Sequence, residues 1–336
     1  MSGAFGVGIA GWGTYWPEQV QTAREIAELS GLPVQVLEEK IGVRQKRVAG
    51  PEDHCSVMAA KAGEVALRRA GVDANDVDLV LYHGSEFKDH VVWSAATKVQ
   101  ALLGCRRAAA FEAYALCAGT PVALKIARGL MRDDASLRRV LLVTASRESD
   151  LVSYQDAGAR FMYTFGAGGG ALLLSRDLPE HHLLGSAVIS DGSLSDNVVM
   201  PAGGSRKPCS AETTAEEHRL TTWRLEEMGA RLAEVSMPNF EAVVRRALEG
   251  TGKQPHEIAF LGAVHMKRSF HKALLDRLGL PEDRAIYLED YGHVQSVDQV
   301  LALELAAERG LLTSGDLVVL LGAGTGYTWS ATAIRW

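Results

Sequence analysis

The chain has 336 residues, of which 47% are hydrophobic and 23% are charged, a composition typical of a globular protein with a large core. A formal net charge of -6 argues against nucleic acid or an anionic membrane surface as the main partner. No stretch reaches the roughly 18 apolar residues of a membrane span, and no charged leader precedes an apolar run at the N-terminus. Four cysteines without CxxC spacing fit a reducing compartment. We therefore expect a cytoplasmic protein.

The first half of the chain alternates between strand-like and helix-like patterns. Short apolar runs predict strands, and apolar residues at helical spacing predict helices between them. The predicted strands are 6–13, 76–83, 139–145 and 168–174, and the predicted helices are 22–29, 54–70, 93–103 and 118–131. Thr22 is the expected N-cap of the first helix. This order predicts an α/β protein.

The second half repeats this plan. Residues 64–83 and 241–265 both read as helix, turn and strand ending in histidine, and 139–145 and 168–174 have partners in 317–322 and 327–334. The duplication predicts two sheets with helices on their faces, fused around a pseudo-twofold axis. The expected halves are 1–175, with a candidate nucleophile, and 176–336, with candidate histidines. Residues 190–226 lack periodicity and are expected to form either a surface excursion or a flap close to the substrate.

Cys117 lies where a predicted strand meets a predicted helix. Unpaired N–H groups and the positive dipole end at a helix N-terminus stabilise a thiolate. Ala118 and Gly119 leave its sulfur approachable. Taken alone, a cysteine beside an apolar strand is more often an inert core residue.

Five segments together carry a resemblance to a known family: 11–17, 40–47, the Cys117 segment, 165–171 and 322–329. Over nearly its whole length the chain resembles the thiolase superfamily, and within it the β-ketoacyl-acyl-carrier-protein synthase III type of condensing enzyme. The resemblance implies a thiolase fold, five-layered α-β-α-β-α, and a homodimer. It also implies that a cysteine takes an acyl group from a thioester and that a carbanion from a malonyl thioester then attacks the acyl enzyme.

The resemblance assigns roles to four residues. Cys117 matches the nucleophile, and His265 matches the histidine that polarises a thioester carbonyl or steadies an enolate oxygen. His293 stands where synthase III enzymes carry asparagine, and it could donate to an enolate or act as a base for a different reaction. Backbone N–H groups of Cys117 and Thr325 match the oxyanion hole.

Other positions depart from the family pattern. Glu86 stands where 3-hydroxy-3-methylglutaryl-CoA synthase has its catalytic glutamate, so we expect an auxiliary acid or base; the alternative is a solvated turn residue. Arg268 replaces an active-site asparagine, and Val36 replaces a tryptophan that stacks on the CoA adenine.

Basic residues could contact the substrate. Lys40, Arg44 and Arg47 are candidates, with Arg268, for contact with a CoA or phosphopantetheine phosphate, or they form a solvated basic patch. The lost family residues favour a specialised fatty-acyl or polyketide reaction over housekeeping fatty-acid initiation.

No His, Cys, Asp or Glu cluster has metal-ligand spacing, so no metal or other cofactor is expected beyond thioester substrates. Expected partners are acyl-CoA or acyl-carrier protein and a malonyl thioester. Three alternatives remain: an acyltransferase to an alcohol or amine, a condensation without decarboxylation like that of 3-hydroxy-3-methylglutaryl-CoA synthase, and a non-catalytic partner subunit.

Overall fold

The computed structural model describes residues 6–336, so the first five residues of the predicted N-terminal half lie outside the described chain. Within 6–336 it has thirteen strands and seven α-helices. The strands are Val7–Tyr15 (β1), Val20–Thr22 (β2), Gln45–Arg47 (β3), Leu79–Tyr82 (β4), Ala109–Glu112 (β5), Arg139–Ser146 (β6), Gly168–Arg176 (β7), His182–Ser190 (β8), Val198–Val199 (β9), Thr221–Thr222 (β10), Phe260–Ala263 (β11), Leu317–Gly324 (β12) and Thr328–Arg335 (β13). The helices are Ala23–Ser30 (α1), Cys55–Ala70 (α2), Ala95–Leu103 (α3), Gly119–Asp133 (α4), Leu225–Ala247 (α5), Arg268–Leu278 (α6) and Val297–Glu308 (α7).

The predicted helices of the first half are confirmed, with ends that differ by two residues or fewer. Thr22 caps α1 as expected, and its side chain accepts from the Glu25 N–H while the Glu25 carboxylate accepts from the Thr22 N–H. This reciprocal arrangement satisfies donors that a helix start leaves unpaired.

Nine of the strands form a continuous sheet in the order β11-β12-β13-β8-β1-β7-β6-β4-β5. Two separate sheets were expected, and the structure instead joins them through a single pairing, Gly8 with His182, between β1 and β8. Each half nevertheless keeps its own parallel strands: β4 pairs with β5 and β6, and β11 pairs with β12. The joint is therefore narrow.

Helices form the outer and central layers. Helices α4 and α7 lie in one core with residues from both halves of the sheet, and ten consecutive residues of α7, from Val297 to Ala306, are buried. Helices α2 and α3 pack together on the first half, and α5 and α6 pack together on the second. Most residues of α7 are apolar on every side of the helix, which suits a position between sheets, and its buried polar side chains include Asp298 and Gln299. The predicted five-layered thiolase fold is confirmed.

The duplication is visible strand by strand. The helix and strand α2 and β4 correspond to α5 and β11, while β6 and β7 correspond to β12 and β13. The halves differ at the outer edge, where β5 has no full counterpart and the second half has only an isolated bridge between Leu261 and Ala285. The 190–226 excursion holds the short β9 and β10 pair. No helix within residues 6–336 has the length and apolar character needed to cross a membrane.

Candidate active site

Cys117 lies in a tight turn between β5 and α4. Strand β5 ends at Glu112, a short 3-10 turn covers Leu116–Ala118, and α4 begins at Gly119. Leu116 has φ of 48°, which is uncommon outside glycine. From α7, the Gln299 side-chain amide donates to the Cys117 carbonyl oxygen at 3.1 Å. The second half of the chain thus holds the turn that presents the nucleophile of the first.

His293 faces the cysteine directly. Its Nε2 lies 3.0 Å from the Cys117 Sγ, and its Nδ1 lies 2.6 Å from Oδ2 of Asp298. The His293 N–H donates to Thr164 O at 2.8 Å. The preceding Gly292 has φ of 71°, and a Cβ there would lie 2.2 Å from the same carbonyl oxygen, so only glycine fits. The backbone therefore fixes the imidazole against the thiol.

Asp298 is completely buried in the first turn of α7. Its Oδ1 accepts from the Val294 N–H at 2.7 Å, and its Oδ2 accepts from the His265 N–H at 2.8 Å as well as from His293. Three donors directed at one side chain are the environment of a carboxylate. The side chain facing His293 Nδ1 is thus an acceptor, which leaves the Nε2 lone pair of a neutral His293 directed at Cys117.

The electrostatics of His293 reflect this arrangement. Burial on its own lowers the pKa of an imidazole, because it disfavours the charged form. Here the negative charges of the Cys117 thiolate and Asp298, with their hydrogen bonds, outweigh burial and raise the pKa of His293 well above its usual value. A negative charge on Cys117 therefore favours the protonated form of His293.

His265 follows the end of β11 and borders the same cavity as Cys117 and His293. It is 7% exposed, and neither ring nitrogen has a hydrogen-bond partner among the described residues. Burial lowers the pKa of His265 to about 4, and neighbouring His293 contributes in the same direction. The ring is consequently neutral near neutral pH and can offer one N–H to a substrate oxygen.

The cavity over Cys117 has a volume of about 500 Å³. One wall comes from α5, with Met228 and Leu232, and Phe161 and Phe270 extend the apolar lining. Thr325 also borders it. The oxyanion hole itself stays a prediction.

A second cavity of about 420 Å³ lies next to the first and shares Ile41, Phe161 and Lys267 with it. Its charged lining consists of Glu39, Lys40, Arg160 and Lys267, which gives a net positive charge. The sequence analysis named Lys40 as a candidate contact for a CoA or phosphopantetheine phosphate. It missed Arg160 and Lys267, because they are distant from Lys40 in sequence.

The other predicted basic contacts have different partners. Arg44 forms a paired contact with the Asp290 carboxylate, with Nε to Oδ1 at 2.9 Å and Nη2 to Oδ2 at 2.5 Å. Arg268 forms an ion pair with Glu289 and covers the ring of Tyr287. These two arginines border neither cavity, and their charges are compensated within the protein. Their assignment as substrate contacts stays a prediction.

The predicted substrate contact of Arg47 also stays a prediction. Its Nη1 donates to backbone carbonyl oxygens of Pro17 and Glu18 at 3.3 and 3.1 Å, so it ties the end of β3 to the segment after β1. It borders neither cavity.

Glu86 is exposed on the turn after β4 and does not border the Cys117 cavity. This exposure fits the solvated-turn alternative, and the role of auxiliary acid or base stays a prediction. A different carboxyl group is buried nearby: Glu148, 3% exposed, contacts the hydroxyls of Ser85 and Ser146. Burial raises the pKa of Glu148 to about 7, although the Ser146 hydrogen bond opposes that shift.

Sequence reasoning missed Asp298. An aspartate in the first turn of a helix is usually read as favourable to the helix dipole, so its position carries no distinctive signal. Only its distance from His293, five residues earlier, could have prompted the question.

Comparisons with known proteins agree with this geometry. Residues 111–192 match the family described as 3-oxoacyl-[acyl-carrier-protein (ACP)] synthase III, and residues 248–336 match its C-terminal part. The chain is 30% identical over 330 residues to β-ketoacyl-[acyl-carrier-protein] synthase III of Roseiflexus castenholzii, covering 98% of this chain and 97% of that one.

Solved structures show the same relationship. The 3-oxoacyl-[acyl-carrier-protein] synthase III of Aquifex aeolicus VF5 superposes with a TM-score of 0.86 at 25% identity, over 98% of this chain and all of that one. The corresponding Pseudomonas aeruginosa PAO1 enzyme gives 0.85 at 26% identity, over 98% of each chain. The chain therefore belongs to the β-ketoacyl-[acyl-carrier-protein] synthase III family of condensing enzymes.

Proposed function

We propose that this enzyme loads an acyl group from a CoA or carrier-protein thioester onto Cys117 and then condenses it, with loss of CO2, with a malonyl thioester. The observation that carries the proposal is the 3.0 Å contact between Cys117 Sγ and His293 Nε2 inside a cavity that His265 also borders. A nucleophile and base within hydrogen-bond reach, with the base held by a third group, are the requirements of covalent acyl transfer.

In the acylation step the Cys117 sulfur attacks the thioester carbonyl carbon. A new C–S bond forms, the bond to the carrier sulfur breaks, and His293 gives its proton to the departing thiolate. Asp298 holds Nδ1 throughout, so proton exchange takes place at Nε2. The product is acyl-Cys117 beside a neutral His293.

In the condensation step the malonyl thioester loses CO2, and its carbanion attacks the acyl carbon. The new C–C bond forms, the C–S bond to Cys117 breaks, and the sulfur leaves as thiolate. Charge develops on the thioester oxygen, where a preorganised N–H donor is effective in a site with little water. His265 supports this role because its ring nitrogens are unpartnered and its pKa is lowered to about 4.

The second cavity provides a site for the phosphate of the thioester substrate. A pantetheine arm crossing the apolar cavity would leave its phosphate near Lys40, Arg160 and Lys267. Lysine and arginine are the usual phosphate ligands in proteins. Whether CoA or a carrier protein holds the arm, and whether the pathway is a specialised one, stay predictions.

We also propose a homodimer that pairs through β5. This strand forms one edge of the nine-stranded sheet, and Phe111 within it is 41% exposed. Open edges that carry apolar side chains are usually covered by another strand or chain. Light scattering on a size-exclusion column tests this, and a monomer at micromolar concentration would contradict it.

The proposed reaction is tested in two stages with the wild-type protein. Intact mass measurement after incubation with a panel of acyl-CoA donors should show one acyl group on Cys117, which a non-catalytic partner subunit would not acquire. Addition of malonyl thioester labelled in its free carboxylate should then release labelled CO2. Condensation without CO2 release would instead indicate a non-decarboxylative condensation like that of 3-hydroxy-3-methylglutaryl-CoA synthase.

A further inference from the structure

We propose that the acyl-enzyme also discharges onto a hydroxyl or amine acceptor with an apolar body, with His293 as the general base. This inference rests on the acyl-Cys117 of the proposed function and adds a second fate for it. Three features of the site carry it: the Asp298–His293–Cys117 alignment, the unpartnered His265, and the apolar cavity.

The first feature fixes what His293 can do once Cys117 is acylated. The thiol proton has left with the carrier, so His293 is neutral, and Asp298 keeps the remaining ring proton on Nδ1. Nε2 then presents a lone pair toward the acyl sulfur. A lone pair accepts a proton from an attacking O–H or N–H but cannot donate to an enolate oxygen.

The second feature concerns the donors that remain for carbon–carbon bond formation. A neutral imidazole carries one N–H, so His265 can donate one hydrogen bond to the substrate. Neutral His293 presents a lone pair there and donates none. Asp298 links the two histidines, because its Oδ2 accepts hydrogen bonds from the His293 ring and from the His265 backbone N–H. The two histidines are thus divided into a base and a donor.

The step balances without any further reagent. The acceptor oxygen or nitrogen attacks the acyl carbon while its proton moves to His293 Nε2; the new C–O or C–N bond forms and the C–S bond to Cys117 breaks. The sulfur leaves as thiolate beside the imidazolium. Sulfur and imidazole then hold one proton between them, as they do before acylation, so the cycle ends where it began.

The third feature sets the acceptor class. The cavity of about 500 Å³ is lined mainly by apolar side chains, among them Met228, Leu232 and Phe270, so it suits an acceptor with an apolar body. Butan-1-ol and butan-1-amine are suitable probes because each couples one nucleophilic group to a short alkyl chain.

The test chases preformed acyl-enzyme with butan-1-ol, butan-1-amine or malonyl thioester and quantifies ester, amide and ketide products. Wild type should form ester or amide above the background of Cys117→Ala. In His293→Asn the side chain keeps an N–H but is no base, so the ratio of ester or amide to ketide should fall about 100-fold, within the usual range for general-base catalysis.

Asp298→Asn tests the positioning residue through a pH profile. Cys117, Asp298, His265 and Glu148 are the titratable groups that act on His293 or are acted on by it. Removal of the Asp298 charge should shift iodoacetamide labelling of Cys117 to higher pH, whereas Asp276→Asn, an exposed change on α6, should leave it unchanged. If Asp298→Asn does not fold, His293→Asn carries the test alone.

The outcomes separate the two proposals. No acyl-enzyme with any donor would overturn the proposed function and this inference with it. Acyl-enzyme that yields ketide but no ester or amide above the Cys117→Ala background would overturn this inference alone. An unchanged product ratio in His293→Asn would also overturn it, since the base would then not be His293.

Discussion

Two histidines occupy equivalent places in the duplicated halves, but only one of them borders the Cys117 cavity. His83 follows β4 and His265 follows β11, and neither has a partner for its ring nitrogens among the described residues. His83 is completely buried and borders neither cavity, and burial lowers its pKa to about 3. His265 borders the Cys117 cavity. The same strand end is therefore packed in one half and open to substrate in the other.

A similar division holds for the turns before the two central helices. The turn before α4 carries Cys117, and the segment before α7 carries His293, with Asp298 in the helix itself. Duplication brings these turns together, and each half has kept a different reactive group there. Symmetry thus explains where the residues are, whereas the chemistry depends on how the halves differ.

The largest expected effect comes from removing the nucleophile of the first half. Cys117→Ala should acquire no acyl group in intact mass measurements and should lose at least about 10³-fold in condensation rate. The exposed Cys209 is the matched control, and Cys209→Ala should load normally. Acylation that persists in Cys117→Ala would place the nucleophile elsewhere.

The two histidines can be compared by the same substitution. His265→Phe removes the one N–H donor and should lower the condensation rate by about 10²- to 10³-fold, with acyl-enzyme formation affected less. His83→Phe should retain activity. Replacing an unpartnered buried ring by an apolar one of similar shape should change the free energy of unfolding by no more than about 1 kcal/mol. Steady-state rates and urea denaturation measure both, and equal losses of activity would remove the distinction between the halves.

The pH dependence of the free energy of unfolding tests the buried state of His83 directly. A histidine with a native pKa of about 3 and an ordinary pKa of 6.5 stabilises the protein fully above pH 6.5. The unfolded state binds the extra proton below that pH, so this stability is lost as the pH falls toward 3. The advantage of His83→Phe over wild type should therefore grow by roughly 3 kcal/mol between pH 6.5 and pH 4. A constant difference across this range would contradict the buried neutral state of His83.

Much of this structure could be predicted from the sequence, for identifiable reasons. Helix caps such as Thr22 and the repeated helix–turn–strand pattern are local signals, and the repeat then predicted that Cys117 and the histidines meet. The joining of the halves by Gly8 and His182 could not be predicted, because pairing between distant strands leaves no local pattern.

Charged residues were the least predictable part of the site. Arg44 and Arg268 have acidic partners more than 20 residues away, and nothing in their own segments indicates this. Asp298 looked like an ordinary helix-start residue. A charge reveals its role only once its partners are known, and those partners are set by tertiary packing.

The smallest expected effect compares a charge at the second cavity, without an acidic partner in the described part of the chain, with a compensated charge nearby. Lys40→Gln removes a positive charge from the cavity lining, so it should raise KM for the acyl-CoA donor by about 3- to 10-fold with little change in kcat, as expected for binding shared by ground state and transition state. Arg44→Gln removes the same charge a few residues away, where Asp290 already compensates it, and should change KM by less than about 2-fold. Added salt should reduce the Lys40 effect, because exposed charge contacts are screened. If Arg44→Gln raised KM as much as Lys40→Gln, the phosphate would approach over the outer surface and not through the cavity between Lys40 and Lys267.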